Sequence, residues 1–543
     1  MKHALSFALA VSWLATSAAA QGQLVLNFGE PVPGASDTAP LNALRTPGVG
    51  NDGTWATLAG NLSFSPGFAT NLLVKNGTVL LEEGVSRLEG RVVRVIEQPS
   101  VLADGRVLTI CAIGSLSFPD EVVVLDDQVL LREDDTALDR AGNAIGTVGG
   151  IREAFVTDDG RVIVLAFVRP ASGPSELHVL AQDITTVATL PFSIFGPGDV
   201  LPDGATVINV LGLDVSANGR VATYGSEFSP TGMARTVYRV DGDVEIQNGD
   251  PAPLPGATYR TPTSTFSSSG FAVSRSGRLG LLATVESGGV TTEIVASGDV
   301  LVTEIGQSPI GTNDPAVAFP AGAGFDMTLD EELAWVARDE NLDYVVYLEG
   351  ERLLAPGMPI DGSTLVRAGV GSGQPGFVHP LSTNGGFLTE IVELADGRRG
   401  LLLMQRSIGA SLSCGTVPHS GGVTAAIDAT GSDLAGGKPL TLVATDLPSG
   451  TFGIFLTSRV FDAGGMSVAS GQLCIAGTIG RIPGVLGSGT AGSFELDVDT
   501  QRLPQSILTA AQPGETWYFQ TWFRDANPTP TANFSDTVAV AFR

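Results

Sequence analysis

The chain has 543 residues, with 57 acidic and 30 basic side chains, a net charge of −27, 69 glycines and 32 prolines. This charge argues against nucleic acid and against anionic lipid surfaces as partners, because both would be repelled. So much glycine and proline excludes a mainly helical protein and indicates many short strands joined by turns.

Residues 1–20 have the pattern of a signal peptide. Lys2 and His3 give a positive start, residues 4–14 are apolar, and residues 18–20 form a small-residue cleavage site. The apolar run is too short to span a bilayer, and no later stretch is long and apolar enough to do so. We therefore expect an exported mature chain that begins at Gln21 and is extracellular, periplasmic or bound at the cell surface.

One turn-and-strand phrase recurs along the next 340 or so residues. Its turn positions are 52 to 59 residues apart: Gly53, Gly105, Gly160, Gly219, Gly277, Glu331 and Gly385. Asp-Gly and Asn-Gly supply the positive φ of a tight turn, and the apolar residues that follow are typical of a buried strand. Glu331 replaces the glycine in the sixth copy, so we expect a different turn geometry there.

Each copy is followed by a hairpin, of which residues 238–240 and 244–247 are the clearest arms, and several by a Pro-rich connection such as GDPAPLPG. About four strands in about 55 residues are typical of a propeller blade. The sequence therefore predicts an all-β fold with a seven-bladed β-propeller over 21–408. An eight-bladed ring or two sandwiches are the alternatives.

The N-terminus offers a way to close such a ring. Residues 24–28 match the end of a repeat, whereas the seventh repeat has no clear fourth strand of its own. We therefore expect residues 24–28 to complete the last blade, which would leave no unpaired edge.

Beyond the repeats the sequence predicts a linker over 409–420 and a β-sandwich over 421–543. Alternation along one strand places Trp517, Phe519 and Phe523 on one face and Tyr518 and Trp522 on the other, where core packing is the simplest role. The predicted strands are 423–429, 440–445, 452–458, 472–475, 493–498, 517–523 and 538–542.

The tail also resembles a known module. The phrases CGTVPHSGGVTAAIDATGS, TLVATDLPSGTFGIFLTS, LCIAGTIGRIPG and ETWYFQTWFRDANPTPTANFSDTVAVAF are similar to a C-terminal module of large exported, uncharacterised proteins of planctomycete-type bacteria. The repeats resemble bacterial propeller-like tandem repeats more loosely. The resemblance implies secretion, a separately folded end domain and a disulfide between the two tail cysteines, and it implies no chemistry.

Three cysteines are present. Taken as residues alone, Cys414 and Cys474 fit either one disulfide in an oxidising compartment or two buried thiols, while Cys111 stands apart. No Cys-x-x-Cys or histidine pair accompanies them, which argues against zinc.

No catalytic constellation stands out. The mature chain has three histidines, His178, His379 and His419, without a nucleophile elbow, and structural roles are expected for them. The NDGTW stretch fails the spacing of a sialidase Asp-box. We assign no catalytic residue, no cofactor and no metal ligand.

Calcium is the one ion that the sequence leaves open. Asp134, Asp135 and Asp139 form the best local acidic cluster, but their spacing does not match an EF-hand loop. A solvated acidic loop is the expected role, and weak calcium binding is the alternative.

Four arginines directly follow a turn glycine: Arg106, Arg161, Arg220 and Arg278. Equivalent repeat positions predict that they form part of a ring on one face. That ring either pairs with acids on neighbouring blades or contacts an anionic glycan.

The sequence therefore predicts an exported binding or scaffolding protein whose partner is a glycan, another extracellular polymer or a protein. A propeller glycoside hydrolase or lyase is the second hypothesis, since such enzymes use carboxylates. A structural envelope component, with the tail as an attachment or sorting module, is the third.

Overall fold

The computed structural model describes residues 21–542, apart from 37–39, 52, 62–69, 98, 116, 118, 185–189, 261–269, 308–324, 329–330, 340, 342, 349–350, 370–380, 383–385, 432, 434, 436–439 and 527–528. The predicted signal peptide, His379 and Gly385 lie outside the described residues. Within them the regular elements are β-strands, and we find no apolar helix of membrane-spanning length. The prediction of an all-β protein is confirmed.

The chain divides into two compact units, Gln21–Gln405 and Arg406–Arg543, which we call the repeat unit and the tail unit. The described residues of the repeat unit form seven sheets, numbered in the order of the seven sequence copies. The unit starts with β1 (Gln21–Asn27), and sheet 1 contains β2 (Ala43–Val49), β3 (Trp55–Asn61), β4 (Thr70–Lys75) and β5 (Thr78–Glu82).

The next two sheets have additional short strands. Sheet 2 contains β6 (Arg87–Leu88), β7 (Arg91–Ile96), β8 (Ser100–Val101), β9 (Val107–Gly114), β10 (Pro119–Leu125) and β11 (Gln128–Arg132). Sheet 3 contains β12 (Thr136–Leu138), β13 (Ala144–Val156), β14 (Arg161–Arg169), β15 (Glu176–Asp183) and β16 (Phe192–Phe195). Sheet 3 closes on itself where Leu138 of β12 pairs with Phe192 of β16.

In sheets 4 to 6, as in sheet 1, the main strands follow one another in sequence order and pair antiparallel. Sheet 4 contains β17 (Thr206–Val215), β18 (Val221–Phe228), β19 (Ala234–Val240) and β20 (Asp243–Gln247). Sheet 5 contains β21 (Thr258–Tyr259), β22 (Phe271–Val273), β23 (Leu279–Ser287), β24 (Val290–Ser297) and β25 (Val300–Glu304). Sheet 6 contains β26 (Phe325–Met327), β27 (Leu333–Arg338), β28 (Tyr344–Leu348) and β29 (Glu351–Leu354).

Sheet 7 is built from both ends of the repeat unit. It contains β30 (Pro359–Ile360), β31 (Ser363–Ala368), β32 (Phe387–Leu394), β33 (Arg399–Gln405) and the N-terminal strand β1. β1 pairs antiparallel with β33, from Gln21 opposite Gln405 to Asn27 opposite Gly400. The N-terminus therefore supplies the fourth strand at the place where the sequence assigned residues 24–28.

Successive sheets pack on one another, and the series closes. Contacts join β4 to β7, β9 to β13, β15 to β17, β17 to β22, β22 to β26, and β28 to β31, while β2 of sheet 1 also contacts β32 of sheet 7. The apolar cores lie between neighbouring sheets; Leu73 and Cys111, for example, share one between sheets 1 and 2. Burial of these faces is the main favourable term in the stability of the unit.

The repeated turn has one geometry even where its sequence differs. The Gly160 N–H donates to the Thr157 carbonyl at 2.9 Å, and the Glu331 N–H donates to the Thr328 carbonyl at 2.9 Å. Glu331 has φ +65°, in the left-handed region that Gly160 also occupies at +80°. The expectation of another geometry at Glu331 is therefore wrong: a non-glycine residue adopts the same turn, at a cost of about 1–2 kcal/mol.

The tail unit contains two sheets that share one apolar core. The smaller sheet comprises β35 (Ala426–Gly431), β36 (Leu440–Thr445) and β42 (Phe494–Val498). The larger sheet comprises β34 (Ala410–Leu412), β37 (Phe452–Ser458), β40 (Gly480–Arg481), β41 (Leu486–Gly487), β45 (Thr516–Ala526) and β46 (Pro530–Ala541). Trp517, Phe519 and Phe523 are fully buried in this core, as predicted. A further hairpin is formed by β43 (Leu503–Pro504) and β44 (Leu508–Thr509).

A hairpin, of which the sequence predicted only the second arm (472–475), covers the other face of the larger sheet. It is formed by β38 (Val460–Val468) and β39 (Gly471–Ala476). Gln520 holds it in place, because its side-chain oxygen accepts from the Cys474 N–H at 2.9 Å and its amide donates to the Gln472 carbonyl at 3.0 Å. Leu473 and Ile475 pack there beside Trp522.

The start of the tail unit differs from the predicted linker over 409–420. β34 pairs with β46, with Leu412 opposite Thr537. His419 is also buried, and its Nε2 lies 2.8 Å from the Asp446 carbonyl. Residues that the small-residue composition indicated as a linker are thus part of the folded tail unit.

Cys414 and Cys474 form a disulfide, with 5.5 Å between their Cα atoms, and Cys111 is a buried free thiol. The disulfide implied by the tail resemblance is confirmed. Burial, with the nearby carboxylates of Glu83 and Glu97, raises the pKa of the Cys111 thiol to about 12.

One buried acid breaks the pattern of the repeats. Glu390 of β32 is 3% exposed, and its Oε2 has no hydrogen-bond partner in the described part of the chain. Burial raises its pKa from the ordinary value of 4.5 to about 8, against hydrogen bonds from the Ile391 and Gly369 amides that lower it. The equivalent hydrogen bonds of the seven turns allow the sheets to be aligned residue by residue. The other six sheets have uncharged residues at the position of Glu390: Thr57, Thr109, Val164, Thr223, Leu281 and Trp335.

We expect the Glu390→Gln substitution to stabilise the protein at pH 7.5 by roughly 2–3 kcal/mol. The folded pKa is above the unfolded one, so the folded protein binds the extra proton, and stability falls as the pH rises from about 4.5 to about 8. Urea unfolding from pH 4 to 9 measures this slope. Glu393→Gln, on the same strand and paired with Arg367 at 2.6 Å, is the control. An unchanged slope in the Glu390 variant would contradict the assignment.

A Cys414→Ser/Cys474→Ser double variant should lose about 2–5 kcal/mol of unfolding free energy in the tail transition, because a long loop is no longer closed in the unfolded state. The cysteines are 60 residues apart. Denaturation followed by tryptophan fluorescence, with and without reductant, measures the effect in the full chain. Cys111→Ser is the control and should remain sensitive to reductant. A double variant as stable as the oxidised parent protein would argue against a stabilising disulfide.

Candidate binding site

A single cavity of about 240 Å³ is lined by residues from all seven sheets of the repeat unit. Its wall is formed just before and within the repeated turns, where β2, β8, β13, β17, β22 and β26 end and where Leu381 precedes β32 in sheet 7. Closure of the series of sheets is what brings these seven segments together.

The wall of the cavity contains an apolar ring that we call the axial collar. Each member comes directly before the first residue of the repeated turn. In sheet 3, for example, Val156 precedes Thr157, whose N–H donates to the Arg161 carbonyl. One side chain comes from each sheet: Val49, Val101, Val156, Val215, Val273, Met327 and Leu381. The same sequence position therefore supplies an equivalent part of the wall seven times.

The rim of the cavity is formed by turn residues that are bonded to one another. The Asp158 N–H donates to the Ala217 carbonyl at 2.7 Å, and the Asn218 side-chain amide donates to the Arg275 carbonyl at 3.0 Å. Arg275 also forms an ion pair with Asp158, with N and O atoms 2.5 Å apart. Turns of sheets 3, 4 and 5 are thus fixed against each other, which holds this side of the rim in one arrangement.

A third set of lining residues precedes the collar by one position. Phe155 of sheet 3, Asp214 of sheet 4 and Asp326 of sheet 6 are equivalent residues on their strands and line the same cavity. Asp214 is 9% exposed, and its Oδ2 accepts from the Val273 N–H of the next sheet at 2.6 Å. The strand ends thus hold an aromatic ring and two carboxylates at equivalent steps around the cavity.

The four predicted arginines occupy equivalent positions but bind mainly within their own sheets. Arg106 pairs with Asp104 at 2.7 Å, Arg161 with Asp159 at 2.9 Å, and Arg220 with Asp241 at 2.5 Å. Arg278 donates to the Ser297 carbonyl at 3.1 Å and to the Glu331 carbonyl of the next sheet at 3.4 Å. The carboxylate partners of the first three differ from the neighbouring-sheet acids that we expected.

Only Arg106 of these four lines the cavity in the described part of the chain. Hydrogen bonds from Thr157 and Arg161 hold the pKa of Asp159 below its ordinary value, which favours the charged form of this pair. An anionic glycan would have to compete with these carboxylates. The four arginines therefore mark the turns beside the cavity, but only Arg106 belongs to the cavity itself.

The described histidines have structural surroundings. Nδ1 of His178 lies 3.0 Å from the Ser193 hydroxyl, and burial lowers the pKa of this imidazole. Nδ1 of His419 accepts from the Gly421 N–H at 2.8 Å, so Nε2 carries the proton and donates to the Asp446 carbonyl. Neither histidine lines the cavity.

The acidic loop of sheet 3 is bonded internally. Asp139 accepts from Asn143 through both backbone and side chain, and these bonds lower its pKa. Asp134 pairs with Arg169 at 3.1 Å, while burial raises the pKa of Asp135. Among the described residues we find no cluster of three or more acidic, histidine or cysteine side chains suited to a metal ion.

The sequence reasoning missed the axial collar, Phe155, Asp214 and Asp326. Each lies one or two residues before the turn that was used to align the copies. An alignment of the seven copies could have found them, because it places Phe155, Asp214 and Asp326 at the same position of three copies.

No protein-family model matches the chain, and no curated protein matches it in sequence. The planctomycete-type family resemblance is therefore unsupported. Among solved structures, a subtype N11 neuraminidase-like protein of A/flat-faced bat/Peru is similar at 10% identity and TM-score 0.28, over 61% of this chain and 95% of that one.

Two further structures have comparable values. The dihydro-heme d1 dehydrogenase NirN matches at 15% identity and TM-score 0.23, over 70% of this chain and 74% of that one. A bifunctional GH43-CE protein of Bacteroides eggerthii matches at 12% identity and TM-score 0.20, over 96% of this chain and 61% of that one. Likenesses this weak carry no argument about function.

We expect two arginines of the repeat unit to differ strongly in their effect on stability. Arg161→Ala should lower the free energy of unfolding by less than about 1 kcal/mol, because its ion pair is exposed. Arg239→Ala should cost more, roughly 3 kcal/mol, because buried Glu227 loses one of its two guanidinium partners and keeps only Arg235, at 2.6 Å. The Arg239–Glu227 pair is 2.7 Å long, with side chains 1% and 2% exposed. Chemical denaturation measures the free energy of unfolding of both variants. Equal losses would contradict the prediction that the exposed Arg161 pair contributes little to stability.

Proposed function

We propose that this protein is an exported binding protein and that the cavity of the repeat unit is its ligand site. The observation that carries the proposal is the convergence of all seven sheets on one cavity with an apolar collar and a polar rim. Concave sites that combine apolar walls with a few fixed polar groups are typical of small-molecule binding. We assign no cofactor to it.

The architecture proposed with this function is a seven-bladed β-propeller followed by a β-sandwich. Seven mutually packed sheets and the seven collar residues support the blade count. The apolar core shared by two tail sheets supports the sandwich. In this arrangement the cavity lies on the propeller axis.

Export is supported by two independent features. Residues 1–20 have the sequence pattern of a signal peptide. The Cys414–Cys474 disulfide is expected of a protein that matures in an oxidising compartment. The partner that we propose is a glycan, an extracellular polymer or a protein outside the cytoplasm, of which a small group enters the cavity.

A second candidate function is a glycoside hydrolase or lyase. Asp214 and Asp326 come from different sheets and line one cavity, and carboxylate pairs are the groups with which most glycosidases work. Release of reducing sugar from a polysaccharide panel, lost in both Asp214→Asn and Asp326→Asn, would favour this enzyme over a binding protein.

Thermal-shift screening of the mature chain against sugars, amines and small organic acids tests the binding proposal. Ligands of the cavity should raise the unfolding temperature of the parent protein, since binding to the folded state alone stabilises it. Ala103→Trp should abolish the shift, because Ala103 lines the cavity and the indole would occupy it.

The matched control is Ala395→Trp, on an exposed turn of sheet 7 that does not line the cavity. It should leave the shifts unchanged. Hits that survive Ala103→Trp would place the ligand outside the cavity and contradict the proposal.

A further inference from the structure

The charge of the cavity restricts what it can bind. Its described lining contains four carboxylates, from Asp104, Asp158, Asp214 and Asp326, against two guanidiniums, from Arg106 and Arg275, so its formal net charge is −2. Both guanidiniums already form ion pairs with rim aspartates, at 2.7 Å to Asp104 and 2.5 Å to Asp158. An anionic ligand would meet an acidic rim whose positive groups are already engaged, whereas a cation would be attracted.

Asp214 and Asp326 show where in the cavity this negative charge lies. Asp214 and Asp326 precede the collar by one residue on β17 and β26, and both line the cavity with Phe155. Phe155 holds the equivalent position on β13, and β13 and β15 of its sheet both contact β17. Phe155 also packs against the apolar core between sheets 3 and 4, so its half-buried ring borders the cavity one sheet away from the Asp214 carboxylate.

Aromatic rings and carboxylates together are the groups that recognise organic ammonium ions. The ring face attracts a cation by about 0.5–2 kcal/mol, more when water is excluded, and it contacts the alkyl groups at the same time. The axial collar supplies further apolar contact, from Val156 and Val215 beside these residues. A fully hydrated metal ion would gain nothing from such a wall, and a sugar would not use its charge.

The volume of the cavity favours a small cationic group. The cavity of about 240 Å³ is smaller than the 300–1,000 Å³ usual for drug-sized ligands. It fits a compact head group better than a basic peptide or a folded partner. A cationic end group of a longer molecule also satisfies this limit when the rest of that molecule remains outside the rim.

We propose that the cavity binds a compact organic ammonium ion with methyl or short alkyl substituents. Phe155 and the collar contact its apolar groups, and Asp214 and Asp326 supply the negative field. This inference rests on the proposed binding function and names its ligand class.

Choline and its uncharged isostere 3,3-dimethylbutan-1-ol are the probes, measured by calorimetry on the mature chain. Choline should bind at least tenfold more tightly than the isostere, because shape is matched and only the charge differs. Asp214→Asn and Asp326→Asn should each weaken choline binding roughly fivefold to tenfold while leaving the isostere unaffected. Asp127→Asn, on an exposed hairpin turn outside the cavity lining, is the matched control and should change neither.

Folding of each variant is checked by its thermal transition, and asparagine at 214 still offers an oxygen to the Val273 N–H. Phe155→Leu provides a variant without a change in charge, and it should weaken choline binding severalfold.

Three results would overturn the inference. Equal affinity for choline and the isostere would remove the ammonium requirement, and so would binding of neither probe. In both cases sugar or acid hits blocked by Ala103→Trp would leave the proposed binding function intact. Choline binding that Ala103→Trp does not reduce would place the ligand elsewhere and overturn both proposals.

Discussion

The antiparallel pairing of β1 with β33 is the interaction on which the rest of the repeat unit depends. It joins Gln21–Asn27 to Arg399–Gln405, the two ends of a stretch of 385 residues. Without β1, β33 would present a row of unpaired backbone groups at the edge of sheet 7. With it, sheet 7 has an outer strand like the other sheets, and its inner strands can pack between sheets 6 and 1. A cavity lined by all seven sheets requires this closed series.

The turns and the N-terminal strand assignment follow from the sequence because both rest on local chemistry. A glycine with positive φ in a repeated turn is visible in every copy that has one, and Gly105 and Gly160 occupy that conformation at +78° and +80°. Glu331 shows the limit of the same reasoning. The hydrogen bonds of the turn and the pairing of β26 with β27 hold the turn in place, and the left-handed conformation follows at a residue that does not favour it.

In the tail, the sequence predicted the buried face of β45 and the strand β39, but not β38, with which β39 forms a hairpin. That hairpin contains two adjacent glycines, Gly464 and Gly465, which local propensity associates with a loop. Its position depends on the side chain of Gln520, a residue distant in sequence. Residues 409–420 were predicted as a linker for a similar reason, since β34 is a strand only because β46 pairs with it.

The candidate site was harder to predict than the fold, because its residues look like ordinary core. An apolar residue before each turn is what any buried strand would contain, and only closure brings the seven of them, five valines, a methionine and a leucine, into one wall. The repeats nevertheless provide an internal comparison in place of homologues. The collar remains apolar in every sheet, whereas the position before it varies and holds Phe155, Asp214 and Asp326 in sheets 3, 4 and 6. Glu390 lies at a position that is uncharged in the other six sheets, and it alone remains without a functional role. Phe155, Asp214 and Asp326 line one cavity, which is why this variable position, and not the collar, gives the cavity its charge and its aromatic group.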